Sequence, residues 1–149
     1  MTGPAETTVL VSLVIRGFSS TPEQLTERLA RRPTRTGTRG DERRFINAAG
    51  IRSVRRLEHS YWELRSALPV DASLDDQIRD VLGLVASVRD ILLGMAAPAE
   101  LEISCTIIPD PVLPGLLISA TSLAGIVAIG ARLRVDIVLT RHEAEVDGT

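Results

Sequence analysis

The chain contains no lysine; all seventeen of its basic residues are arginines. A phosphate-cradling loop of the form G-x-x-x-x-G-K-[ST] is therefore excluded. GC-rich coding is the simplest source of such a bias, so arginine abundance alone is no sign of selection for phosphate or carboxylate binding. Cysteine occurs once and histidine twice, which rules out an internal disulfide and leaves almost nothing for a metal cluster. Cys105 sits in an apolar alternation with no histidine nearby, the setting of an inert core thiol. His59 and His142 have no ligand spacing with each other or with acids. No serine sits on the sharp turn of a nucleophile elbow, and the glycines form no dinucleotide fingerprint. The expectation is a protein that is not an enzyme, uses no cofactor and holds no metal.

What the chain does have is 149 residues, 44% of them hydrophobic and 24% charged. That is enough to bury a core, and one domain spanning 1–149 is expected. A net charge of −2 argues against a protein built mainly to coat nucleic acid. The opening MTGPAETTVLVSLVIRGF has no basic leader before its apolar run, and that run is short and ends at Arg16, which suits a strand better than a signal peptide. Residues 111–131 carry no charge and are long enough to cross a bilayer. Pro111, Pro114, Gly115, Gly125 and Gly130 punctuate them, however, and Ser119, Thr121 and Ser122 place a helix-cap signal in the middle. A strand followed by a short buried helix explains this pattern. No membrane association and a cytoplasmic location are expected.

Val9, Val11, Leu13 and Ile15 alternate with Leu10, Ser12 and Val14 as in an interior strand. Thr21-Pro22-Glu23-Gln24 then combines a capping box with proline at the first helical position, ahead of Leu25 and Leu29 on one face. Residues 31–57 read as an arginine-rich loop insertion, punctuated by Pro33, Gly37 and Gly40, with a short element around Phe45 to Ala49. A strand is expected at Glu58–Ser66, Trp62 and Leu64 facing one way and Tyr61, Glu63 and Arg65 the other. Leu74, Ile78, Val81, Val85, Val88, Leu92 and Met95 repeat at helical spacing, so one helix is expected from Leu74 to Met95. Its stripe, widened by Leu82, Leu84 and Ile91, suits packing on a sheet better than a coiled coil. Strands follow around 101–107, after a turn at Pro109-Asp110-Pro111 around Leu116–Ser119, and at Leu133–Thr140. A helix at Ser122–Ala131 precedes the last, where Asp136 reads as a carboxylate facing water. Residues 141–149 read as a frayed tail. The fold class is α+β, a two-layer sandwich in which helices cover one face of a largely antiparallel mixed sheet, in the order β-α-β-α-β-β-α-β.

The segment from Arg31 to Arg56 holds nine arginines against Asp41 and Glu42. Arg35, Arg39, Asp41, Arg43 and Arg44 are candidate binding residues, because guanidinium forks match carboxylates and phosphates pairwise. A solvated loop enriched by codon bias explains the same run. Trp62, the only tryptophan, is a candidate anchor beside it, with burial beneath the long helix as the alternative. Basic groups predominate up to residue 66 and acidic groups after it, leaving the two halves oppositely charged.

The stretch TPEQLTERLARRPTRTGTRGD after a strand, the later YWELRS, the long helix and the closing TSLAGIVAIGARLRVDIVL together resemble the bacterial family catalogued as domain of unknown function 4279. Pro33, Thr34, Gly40, Asp41, Trp62 and Asp136 occupy the places that carry the resemblance, which covers nearly the whole chain. The sequence departs from that pattern in ending its last strand Asp-Ile-Val where an aromatic is usual, and in its dense arginines between the Gly-Asp loop and the tryptophan. The resemblance implies a small standalone domain without established catalysis.

Two functional readings remain. One is a non-catalytic protein-interaction domain, of immunity or accessory type, with a protein partner. The other is a regulatory domain that grips a small anion or nucleotide with the arginine loop beside Trp62. A nucleic-acid partner is disfavoured by the acidic second half and by the presence of only one nearby aromatic, Phe45. A homodimer through a sheet edge is a further expectation.

Overall fold

Strand β1 (Thr8–Arg16) runs through the middle of the sheet because both of its faces can be buried. Val9, Val11, Leu13 and Ile15 point into the core, while Ser12 and Val14 are covered on the other side. The computed structural model of the chain describes residues 7–46, 49–95, 97–109 and 115–139. Four further strands flank β1: β2 (Arg35–Gly37), β5 (Tyr61–Arg65), β6 (Glu100–Ile108) and β7 (Arg132–Ile137), in the spatial order β2-β5-β1-β6-β7. Pairing is antiparallel except between β6 and β7. That exception follows from the helix joining them, since parallel strands need a crossover connection.

The helices lie on one face. Helix α1 (Pro22–Leu29) begins with the expected capping box: Thr21 Oγ1 accepts from the Gln24 N–H at 3.1 Å, and Gln24 Oε1 from the Thr21 N–H at 3.0 Å. Helix α2 (Leu74–Leu84) is capped by Ser73 and carries Asp75 and Asp76 in its first turn, where the helix dipole favours negative charge. Helices α3 (Arg89–Leu93) and α4 (Ala120–Ala128) complete the layer. Leu25 and Leu29 of α1, Ile78 and Val81 of α2, Leu92 of α3 and Ile126 of α4 meet Leu13, Ile15, Trp62, Ile103 and Ile107 in one apolar cluster. Gln77 is a buried polar residue of this layer. Its buried amide donates to the carbonyls of Val9 at 2.8 Å and Ala72 at 3.1 Å, tying the start of α2 to β1. An α+β sandwich with a largely antiparallel sheet is thus what the chain forms.

The order of elements departs from the expectation in three places. Residues 31–57 are not a loop: they contain β2 and a separate hairpin of β3 (Glu42–Ile46) and β4 (Arg52–Arg56). Arginine carries no strand signature, so a hairpin with arginine at five of its ten strand positions reads as polar punctuation. The helix expected from Leu74 to Met95 breaks at Val85 into a 3₁₀ turn, Ala86–Val88, before α3 resumes. Val85, Val88 and Leu92 remain buried, so the periodicity reported a core face correctly while the axis changed. No strand forms at Leu116–Ser119. Asp75 Oδ1 takes the Ser119 N–H at 2.8 Å, and Ser119 becomes the cap of α4. The last ladder covers Arg132–Ile137, so Val138 and Leu139 of the expected strand lie beyond it, and Thr140 is outside the described residues. The Asp110-Pro111 part of the expected turn and the tail 141–149 lie outside the described residues. Among the described residues no helix is long and apolar enough to cross a membrane.

Candidate functional site

The arginine-rich segment is rooted by a tight turn. Asp41 Oδ2 accepts from the Thr38 N–H at 2.9 Å, and the Asp41 N–H donates to the Thr38 carbonyl at 3.0 Å. Gly40 between them has φ of 92°, a left-handed conformation that glycine adopts without a Cβ clash. Two bonds of 2.9 Å, Gly40 N–H to the Leu57 carbonyl and Leu57 N–H to the Asp41 carbonyl, close the base of the hairpin. The Arg39 N–H donates to Ser60 Oγ at 2.9 Å. Asp41 and the backbone of Arg39 therefore build the turn.

Beyond it, two guanidinium groups converge on Tyr61. Arg35 and Arg43 lie 5.9 and 5.6 Å from its ring centroid, within cation–π range. Arg43 Nη2 also donates to the Thr36 carbonyl at 2.9 Å, whereas its buried Nε has no hydrogen-bond partner. Arg35 Nε lies 3.5 Å from Glu63 Oε2. The Tyr61 hydroxyl, by hydrogen bonding, and then the Glu63 carboxylate hold the Arg35 guanidinium above its ordinary value. Glycine at 37 is required here, because a Cβ would run into the Tyr61 ring and come within 2.7 Å of Leu57 Cδ1.

Tyr61 and Glu63 belong to the helix-free face of the sheet. Strand register places Arg35, Glu63, Val14, Glu102 and Arg132 across one rung. Glu102, only 2% exposed, receives the Arg132 Nε–H at 2.9 Å. Its Oε1 pairs with Arg16 Nη1 at 3.4 Å without hydrogen-bond geometry. A recess of about 240 Å³ opens there between Val14, Arg16, Arg35, Tyr61, Glu63 and Ser104.

The hairpin extends from this corner. Between Glu42 and Arg56 it carries five arginines and one glutamate. Register sets Arg43 opposite Arg55, a like-charge pair that costs stability. Each guanidinium turns to an aromatic ring instead, Arg43 to Tyr61 and Arg55 to Phe45 at 5.8 Å. Phe45, Ile46 and Val54 are 47%, 69% and 59% exposed. With Arg44, Arg52 and Ser53 they line an open depression of about 370 Å³.

The five polar candidates thus separate. Arg35 and Arg43 meet at Tyr61, Arg39 and Asp41 form the turn, and Arg44 stands on the hairpin. Trp62 joins none of them. It is fully buried on the helix side of β5, with its Nε1–H donating to Thr26 Oγ1 at 3.1 Å. An anion site beside Trp62 is corrected accordingly: strand register puts Trp62 and Arg35 on opposite faces, Arg43 lies against Tyr61, and Tyr61 takes the place assigned to the tryptophan. Tyr61, Glu63, Arg16 and the exposed apolar residues of the hairpin were not singled out from sequence. The outward alternation of Tyr61 and Glu63 against Trp62 was the available signal.

Among the described residues no three His, Cys, Asp or Glu side chains are grouped to hold a metal ion. Burial pushes the Cys105 thiol up to about 12, far from the range of a reactive thiolate.

A helix layer on one sheet face, a charge-paired open face and a projecting basic hairpin define a two-layer α+β domain. The chain belongs to the family described as Domain of unknown function (DUF4279), whose model matches residues 5–140. Neither a curated protein nor a solved structure matches the chain.

Proposed function

We propose that this is a non-catalytic protein-interaction domain, of immunity or accessory type, whose contact element is the β3–β4 hairpin. The observation that carries the reading is the exposure of Phe45, Ile46 and Val54 among arginines on a two-stranded element. An isolated hairpin is marginal in water, and apolar residues ringed by guanidinium groups fit an apolar groove with an acidic rim on a partner protein. Co-purification from the native host tests it. The partner retained by the wild-type chain is expected to be lost with Phe45→Ser/Val54→Ser and weakened by salt. Retention of the same partner by that variant would overturn the reading.

A second reading rests on Arg43, whose guanidinium converges with that of Arg35 on the Tyr61 ring. With Arg35 beside it, this corner offers a fork for a small anion such as a phosphate or a nucleotide. Ligand binding to the folded state raises the melting temperature. A thermal-shift screen of nucleotides and acidic metabolites is expected to give a shift that Arg43→Ala or Arg35→Ala removes. No shift with any anion, or one that survives both changes, refutes this second reading and leaves the first standing.

A further inference from the structure

The two edges of the sheet are managed differently. At β2 the edge is three residues long and Arg43 Nη2 already occupies the Thr36 carbonyl. At β7 the edge is six residues long, and no described residue is hydrogen-bonded to its outer side. The Val138 N–H donates to the Ile107 carbonyl at 2.8 Å. Because backbone groups alternate along a strand, Arg132, Arg134 and Asp136 address β6, while Leu133, Val135 and Ile137 turn their N–H and C=O groups outward. Such an edge is a template for another strand.

The side chains say which strand. Val135 and Ile137 lie on the helix side of the sheet yet are 40% and 45% exposed. Next to them, α4 packs Gly125 on Leu82 of α2. Leu123 and Val127, on the opposite flank of α4, are left exposed. On the open face Arg134 and Asp136 stand side by side, 3.0 Å apart and both about half exposed.

We infer that β7 pairs antiparallel with β7 of a second copy of this chain, about a twofold axis through Val135. The outward backbone groups permit several antiparallel registers, and among them this one sets Arg134 opposite Asp136. Val135 faces Val135 of the second copy, and Leu133 faces its Ile137, as hydrogen-bonded pairs. Arg134 then falls opposite Asp136 of the second copy, and Asp136 opposite its Arg134. These are non-hydrogen-bonded positions, where cross-strand side chains are closest. A sequence that places Arg and Asp symmetrically about a valine is complementary to itself in that one register, as a twofold contact requires. Twofold pairing keeps both helix layers on the same side, so Leu123 and Val127 of each α4 flank the joint. The shielded β2 edge stops growth at two copies.

Light scattering of the full chain in solution tests this. The wild-type chain is expected at twice its mass of 16.1 kDa. Asp136→Arg sets like charges opposite each other twice per pair and is expected to weaken association about tenfold or more. Arg134→Asp/Asp136→Arg restores opposite charges in the same register and is expected to recover the wild-type dimer. Val135→Pro removes only an outward N–H, which an edge strand tolerates, and is expected to be a folded monomer by circular dichroism. A monomeric wild type, a dimer indifferent to Asp136→Arg, failure of the double reversal to restore pairing, or open-ended assembly would each overturn the inference. Loss of the Phe45 and Val54 side chains leaves this dimer unchanged, so its failure and that of the hairpin reading are separable.

Discussion

Replacing Trp62 by phenylalanine separates a core role from a binding role for the only tryptophan. The indole is fully buried and its Nε1–H is bonded to Thr26 Oγ1 at 3.1 Å. The smaller ring forfeits apolar burial of about 1 kcal/mol, leaves a void that costs about 1 kcal/mol and loses a hydrogen bond worth about 1 kcal/mol. A total near ~3 kcal/mol lowers the melting temperature by roughly 10 °C in a chain of this size. Circular dichroism is the assay, because the variant loses its tryptophan fluorescence. Thr26→Val completes a double-mutant cycle: alone it strands the buried indole N–H at a cost of about 1–2 kcal/mol, and beside Trp62→Phe that penalty disappears. The Thr26 hydroxyl also donates to the Pro22 carbonyl at 3.0 Å, but this bond is lost in both backgrounds and cancels. A coupling energy near zero would refute the hydrogen bond. Partner or ligand binding abolished by Trp62→Phe without any loss of stability would refute the burial argument.

Asp75 ties α2 to the cap of α4, accepting from the Ser119 N–H at 2.8 Å and the Ser122 hydroxyl at 2.7 Å. These bonds, the Ser119 N–H foremost, hold its carboxyl below the ordinary value of 3.8. A lowered folded-state pKa contributes stability that is present above the unfolded value and lost as pH falls through the folded one. Asp75→Ala is thus expected to lower the melting temperature at neutral pH, with the difference from wild type shrinking below pH 3.8; a difference that grows on acidification refutes it. The Cys105 thiol, pushed up to about 12 by burial, is expected to resist disulfide reagents at pH 8 until urea unfolds the chain. Labelling at the rate of a free thiol in the native protein would contradict that. Gly37→Ala displaces the Tyr61 ring and is expected to destabilise by about 1–3 kcal/mol, measured by urea unfolding; an unchanged midpoint would show that the ring has room to move.

Most of the helix layer was legible in the chain. Thr21-Pro22-Glu23-Gln24 specified its own capping box, and the spacing from Leu74 to Leu92 marked a core-facing stripe, because both signals are local and repeat with the helical period. The alternation of Leu101, Ile103, Cys105 and Ile107 likewise identified a half-buried strand. The hairpin at 42–56 escaped because its strands bury almost nothing, and without burial there is no hydrophobic period to read. The break at Val85 escaped for the converse reason: the burial pattern continues through it.

Composition alone settled that no disulfide forms within the chain and that no lysine-dependent phosphate loop exists, since these depend on which residues are available and not on where they lie. The pairing of Arg35 and Arg43 at Tyr61, the removal of Trp62 to the other face, the burial of Glu102 between Arg16 and Arg132, and the position of β7 at the end of the strand order were decided by tertiary structure. Each depends on register between strands distant in sequence, and one residue of slip would turn every one of those side chains to the opposite face.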